Sequence, residues 1–513
     1  MILENGLIRT MDASLPTAAA LALAADRVAG GVGTHETSLA SPERVDLAGL
    51  CVLPGFTDSH VHFAQWSLAQ RNVRFEGTRT LDEAVERVAA AVPQVPPGRW
   101  LRGFGWRSGD WDPATEPTRQ ALDAVTGDVP AALLAKDGHS LWLNSAGLAR
   151  ANGDLKVPGG VVELDDAGEP TGVLREESAW HVREAYVVTP EEEWVDAMRE
   201  GVRLANSRGV TAVHDKDGWM GIVRWWQTLR REEALTLRVW QSLPHENLPE
   251  IEALGLRSGL GDDLLRLGYV KVFMDGTLGS MTARLLDGSG VEITSRRDFE
   301  EIIRRSARAG FPVAVHAIGD RANRDALDAF EATREEWQPR GLRQRIEHAQ
   351  LLAEEDVPRF AELGITASVQ FSHGPSDRDL AATNWAGMTD RAYAFRSLLD
   401  AGARLANGSD APVEELDPLL GLRAGVHRSL DEREPWHGEQ AVPVEEAIAA
   451  STVHPAWLAG DERRRGRLVP GQLADLVVLD RDPLECPPEE LADIRVVATM
   501  LGGRWVFGGP PFR

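Results

Sequence analysis

The chain offers three residue types that bind divalent metals, histidine, carboxylate and lysine, at spacings that invite comparison. His60 and His62 form an HxH pair in "VLPGFTDSHVHF". With 13 histidines in 513 residues, about a third of such a pair is expected by chance, so the motif alone is weak. In a β-strand, however, residues two apart point the same way, so both imidazoles would aim at one point beyond the strand's carboxyl end. Further candidates close other apolar runs: His316 in "AVHAIGD", His348 in "IEHAQ" and Asp410 in "NGSDAPV". Each has an ordinary alternative, since a single histidine can be a hydrogen-bonded loop residue and an Asp after Gly-Ser can cap a helix. Lys271 stands apart. In "LGYVKVFMDG" it places an ammonium among apolar neighbours, where an unpaired charge is expensive. Either its amine escapes to the strand end or pairs with Asp275, or it is carboxylated by carbon dioxide and becomes an anionic bridging ligand.

Elements that could position these groups follow from the pattern. Eight apolar runs end at "VLPGFTDSH", "GVTAVHD", "LTLRVWQSL", "LGYVKVFMDG", "FPVAVHAIGD", "RQRIEHAQ", "GITASVQFSH" and "ARLANGSDAP". Amphipathic stretches such as "RDFEEIIRRSARAG" separate them, which is the pattern of repeated βα units and a parallel sheet. Eight such units make an α/β (β/α)8 TIM barrel, whose chemistry gathers at the carboxyl ends of the strands. Short β-rich segments at both ends, "MILENGLIRTMD", "ADRVAGGVG", "GQLADLVVLDRDP" and "IRVVATMLGGRWVF", predict a composite β-sandwich domain over residues 1–55 and 465–513. The barrel then covers 56–464. A ninth run, "AALLAKDGH", fits if about 75–195 is an insertion after the first barrel strand. The Gly-, Pro- and Trp-rich content of that stretch suits a lid or a pocket wall.

Composition narrows the function classes. There are 55 basic and 79 acidic residues, a formal charge of -24, which repels nucleic acid and acidic membranes. Only Cys51 and Cys486 occur, so a disulfide framework and cysteine metal sites are excluded and a reducing cytoplasm is expected. No apolar run reaches the roughly 18 residues of a membrane helix.

These segments, with "DGHSLWLNSAGL", "GEPTGVLREE" and "KVFMDGTLGS", resemble the amidohydrolase superfamily of metal-dependent hydrolases. The resemblance is to the branch similar to N-substituted formamide deformylase, the amidohydrolase family 3 type, and runs nearly end to end. It implies a site for one or two divalent ions, usually zinc, with iron or manganese as alternatives. Carried over by position, His60, His62 and Asp410 would hold the more buried ion and His316 and His348 the outer one, with carboxylated Lys271 between them. The implied reaction is hydrolysis of an amide-type C–N bond of a small molecule, an N-substituted formamide among the candidates. Metal-bound hydroxide would attack, and Asp410 would carry the proton to the leaving nitrogen. His139, His373, His214 and Trp106 are candidate substrate contacts, and Asp58 a candidate to orient an imidazole. A mononuclear deaminase or an esterase on the same barrel is the alternative. Deaminases of this type carry an acid three residues after the strand-five histidine, where this chain has Gly319. A non-catalytic scaffold would have lost ligands, and none is lost. Large barrels with sandwich domains often pair, which makes a homodimer the expected assembly.

Overall fold

A computed structural model of the chain describes residues 1–29, 41–136, 138–219 and 221–512. It divides into two compact units, residues 1–63 with 202–513, and residues 64–201.

The first unit contains an all-parallel eight-stranded sheet. Its strands, labelled here in chain order, are β1 Phe56–Val61, β2 Val210–Asp215, β3 Arg238–Pro244, β4 Leu265–Phe273, β5 Val313–Ala317, β6 Arg345–His348, β7 Thr366–Val369 and β8 Leu405–Asn407. They are the eight runs read from the sequence, paired in that order. Six of them (β1, β2, β5, β6, β7 and β8) are buried at every position, as expected of strands covered on both faces. The βα repeat shows why. After β4, helix Arg296–Ala309 is capped by Ser295, whose hydroxyl accepts from Asp298 N at 3.2 Å. The helix buries Phe299, Ile303 and Ala307, four residues apart, in the main core beside Val313 and Val315 of β5.

The ends of the sheet meet just beyond β1 and β8. Asp410 N–H donates to His60 O at 2.7 Å, His62 N–H donates to Ala411 O at 2.9 Å, and Val61 and Ala411 form a parallel bridge. Gly408 is what lets the chains approach: a Cβ there would overlap the backbone nitrogen of His60.

The chain termini share a second eight-stranded sheet. Cys51–Pro54 pairs antiparallel with Leu476–Leu479 and parallel with Ile2–Arg9, so strands from both ends are hydrogen-bonded neighbours. Of the run Ala25–Gly33, Arg27–Val28 pairs with Thr17–Ala24, and Gly30–Gly33 lies outside the described residues.

The second unit is wider at both ends than the stretch read as an insertion. It has its own six-stranded sheet, including Leu101–Trp106, Ala131–Ala135 and Ser140–Leu143. Its core holds Phe75, Leu101, Trp106, Trp111, Leu133 and Trp142. No helix among the described residues is long and apolar enough to cross a membrane.

Candidate metal centre

Five of the candidate side chains converge at the carboxyl ends of the barrel strands. His60 Nε2 lies 3.3 Å and His62 Nε2 3.4 Å from the same atom, Asp410 Oδ1. Two donor atoms each about 2.0–2.1 Å from a tetrahedral zinc are about 3.3–3.4 Å apart, so these spacings match the edges of such a coordination shell. The opposite carboxylate oxygen, Asp410 Oδ2, faces His348 Nδ1 at 3.9 Å and His373 Nε2 at 3.8 Å. The His348 ring stands 4.8 Å from that of His60 and 4.5 Å from that of His316. His60, His62 and Asp410 form one group able to hold an ion, and His348, His373 and Asp410 another.

Each imidazole is oriented by a bond on its far side. His60 Nδ1 meets Glu347 Oε2 at 2.8 Å, His62 Nδ1 meets Asp217 Oδ1 at 2.8 Å, and His348 Nδ1 meets Gln370 Oε1 at 2.8 Å. All three partners are acceptors, so each Nδ1 is a proton donor; Nε2 is then the ligand nitrogen of neutral His60 and His348, and of His62 once its second proton is lost to a bound cation. His316 is reversed, since its Nε2 donates to Gly276 O at 3.0 Å and Nδ1 is the bare nitrogen. His60 Nε2 is buried with no hydrogen-bond partner, an expensive arrangement unless a cation completes it. The donor set therefore fits a divalent ion.

Backbone strain marks the same place. His348 and Asp410 have φ of +74° and +58°, in the left-handed region that non-glycine residues seldom enter. In a regular strand Glu347 and His348 would face opposite ways; the turn at His348 lets both reach His60.

Burial and charge set the protonation. Burial lowers the pKa of His60 and His316 to about 3, so both are neutral. Burial also acts on His62, but Asp217 and Asp410 outweigh it and push its pKa up to about 10. Without metal, a proton on His62 thus supplies the positive charge between two carboxylates. Burial would raise Asp410, yet His60, His62 and His348 hold its carboxyl well below the usual range. Lys271 is buried in β4, which lowers its pKa to about 8 against the pull of Glu347 and Asp410. Its Nζ lies 4.6 Å over the Phe273 ring and makes no hydrogen bond or ion pair among the described residues. Asp275 is not its partner: that carboxylate accepts from the backbone N–H groups of Arg284, Ile318 and Gly319.

The remaining candidates part company. His373 opens the short helix His373–Ser376 and stacks on His348 with ring planes 4° apart. His214 is wholly buried inside the barrel, where Nδ1 accepts from Arg345 at 3.0 Å. His139 belongs to the second unit, against Glu176 at 2.8 Å and Trp180. Trp106 is in that unit's core, packed on Trp111 and Trp142 with its indole N–H donating to Leu133 O at 2.8 Å. It is a core residue, not an open pocket wall, because its polar handle is already used inside. Asp58 is also corrected. Its carboxylate accepts from the backbone N–H groups of His60 and Ser409, fastening β1 to the loop after β8. The imidazole-orienting acids are Glu347 and Asp217, neither singled out in the sequence. Their positions beside His348 in "IEHAQ" and in the acidic run "HDKDG" were the available signals.

An all-parallel barrel with imidazoles and a carboxylate gathered at its carboxyl ends is the arrangement of metal-dependent hydrolases. The chain belongs to the amidohydrolase family, whose model matches residues 43–507, and is a metal-dependent hydrolase acting on carbon–nitrogen bonds. It is 31% identical to Protein LONG AFTER FAR-RED 3 of Arabidopsis thaliana, over 99% of this chain and 91% of that protein. It is 29% identical to N-substituted formamide deformylase of Arthrobacter pascens, over 98% and 97%. Among solved structures it resembles an uncharacterized metal-dependent hydrolase from Pyrococcus horikoshii, with TM-score 0.79, 29% identity and coverage of 95% and 98%.

Proposed function

We propose that the protein hydrolyses an amide-type C–N bond of a small molecule, with N-substituted formamides the first class to test. The observation that carries this reading is the pair of equal approaches, 3.3 and 3.4 Å, of His60 Nε2 and His62 Nε2 to Asp410 Oδ1. His60, His62 and Asp410 would hold one ion, His316 and His348 would hold a second where two are bound, and Lys271, if carboxylated, would add an anionic ligand between them. That the Lys271 amine has no ion pair among the described residues supports that last role, since an amine held by a carboxylate would not be available to carbon dioxide. Zinc suits a shell of imidazole nitrogens and carboxylate oxygen. When bound, it supplies an activated water near neutral pH and polarises the substrate carbonyl.

The protein's own groups do the rest. Asp410 Oδ2, the carboxylate oxygen turned away from His60 and His62, takes the proton from the attacking water, and the carboxylate then delivers it to the departing nitrogen. His373 is placed to donate to the carbonyl oxygen as charge develops there. Gln350 Nε2 donates to its Nδ1 at 3.1 Å, which leaves Nε2 as the N–H, buried and without a hydrogen-bond partner. The formamide preference rests on the similarity to the Arthrobacter deformylase. We read the sheet shared by both termini as the composite β-sandwich of the family.

Deamination is disfavoured at Gly319. A Cβ there would overlap the backbone of Arg284, so the acid that such chemistry wants has no room. The test is a screen of N-substituted formamides, N-acyl amines, lactams and aryl esters with zinc and bicarbonate supplied. Turnover of a formamide or simple amide is expected; no turnover of any compound by metal-loaded protein overturns the assignment.

A further inference from the structure

Beneath the site lies a buried group of charges that the proposed reaction does not use. Glu347, on β6, is fully buried together with Arg345 and Lys216. One carboxylate oxygen, Oε1, is in ion-pair contact with Lys216 Nζ at 2.9 Å and Arg345 Nε at 2.8 Å. The other, Oε2, meets His60 Nδ1 at 2.8 Å and Arg345 NH2 at 3.1 Å. Arg345 is itself tied down, donating to Ser59 O at 2.8 Å and to Ser368 Oγ. Tyr269 stacks 5.2 Å from both cations. Two basic side chains serve one fully buried carboxylate, and the carboxylate's remaining bond goes to the histidine that faces Asp410.

We infer that Glu347 is a positioning residue: its carboxylate, clamped by Lys216 and Arg345, holds the proton of His60 on Nδ1 and so fixes Nε2 as a metal ligand before any metal arrives. This rests on the metal-site reading above and deepens it. A neutral imidazole carries its proton on either nitrogen, and in water the two forms differ little. The choice at His60 must come from its surroundings. On the Nε2 side stands Asp410 Oδ1, 3.3 Å away, a carboxylate that would itself attract the proton and so block the ligand position. Glu347 competes for that proton at 2.8 Å. Lys216 and Arg345 keep the competitor in place.

The test separates this positioning role from a merely structural one. Zinc affinity of the folded apoprotein is measured by chelator competition for wild type and Glu347→Gln, scaled to the folded fraction seen by circular dichroism. The amide is isosteric but brings an NH2 against two cations, so loss of clamping should weaken zinc binding about 10–100-fold. Glu347→Gln binding zinc within about twofold of wild type overturns the proposal, whereas wild type that binds no zinc overturns the metal-site reading itself. If Glu347→Gln does not fold, the wild-type apoprotein decides. With 15N-labelled histidine and His60→Gln for assignment, the His60 ring should show Nδ1–H and a bare Nε2, and a proton on Nε2 overturns the proposal.

Discussion

Asp410 meets His60 twice over: its backbone N–H donates to His60 O at 2.7 Å, and its Oδ1 approaches His60 Nε2 to 3.3 Å. One residue pair thus joins the first and last barrel strands and brings two candidate ligands into register. The seam is the site. Replacing Asp410 by Asn keeps the backbone bond and the side-chain volume but removes the charge and the proton carrier. We expect kcat to fall by about 10²–10⁴-fold in Asp410→Asn, with the unfolding midpoint of the metal-free protein little changed. Chelation of wild type should abolish activity, and zinc should restore it. An Asp410→Asn enzyme retaining a tenth of wild-type kcat would remove Asp410 from proton transfer.

The seam also predicts an unusually sensitive glycine. A methyl group at 408 would overlap the backbone nitrogen of His60, so strands β1 and β8 must separate to admit it. Gly408→Ala should lose about 1–3 kcal/mol of stability by denaturant unfolding and bind less than wild-type zinc. Unchanged stability and full metal loading would show that the closure tolerates more slack than these contacts allow.

The strands were readable because each is an apolar run closed by a polar residue, and a parallel barrel sends those ends to one face. That is why His60, His62, His316, His348 and Asp410 could be gathered from positions up to 350 apart. The residues behind them were harder to see. Glu347 and its neighbour His348 would face opposite ways in a regular strand, and both reach His60 because His348 takes a positive φ that no local pattern announces. Asp217 reaches His62 across 155 residues through the neighbouring strand. Trp106 illustrates the converse: aromatic richness reveals a packed layer, but not which face of it meets solvent. Asp58 adjoins the HxH motif in sequence, yet its acceptors are spent on backbone.

His373 can be separated from the ligands by experiment. If its Nε2–H serves the developing oxyanion, His373→Ala should lower kcat by about 10²–10³-fold while zinc content per chain stays at the wild-type value. If instead it joins His348 and Asp410 around an ion, zinc content or affinity will fall in parallel with activity. Metal analysis of the purified variant, beside its kinetics, distinguishes the two.

His454 offers a prediction about stability away from the metal centre. Its Nδ1–H donates to Leu405 O at 2.7 Å, a bond that favours the charged form, but burial dominates and, with Arg404 and Arg467 nearby, lowers its pKa to about 4. An unfolded histidine titrates near about 6.5. Because the folded value is the lower one, the unfolded chain binds the proton first. The penalty is absent above about pH 6.5 and grows as pH falls toward 4, reaching at most about 3 kcal/mol. Partial exposure of the ring reduces that figure. His454→Gln can still donate to Leu405 O but has no proton to gain. In chelator-treated protein, urea unfolding at pH 7.5 and 4.5 should therefore show a smaller acid-induced loss for His454→Gln than for wild type. Equal losses in the two proteins would mean that other buried groups carry the acid sensitivity.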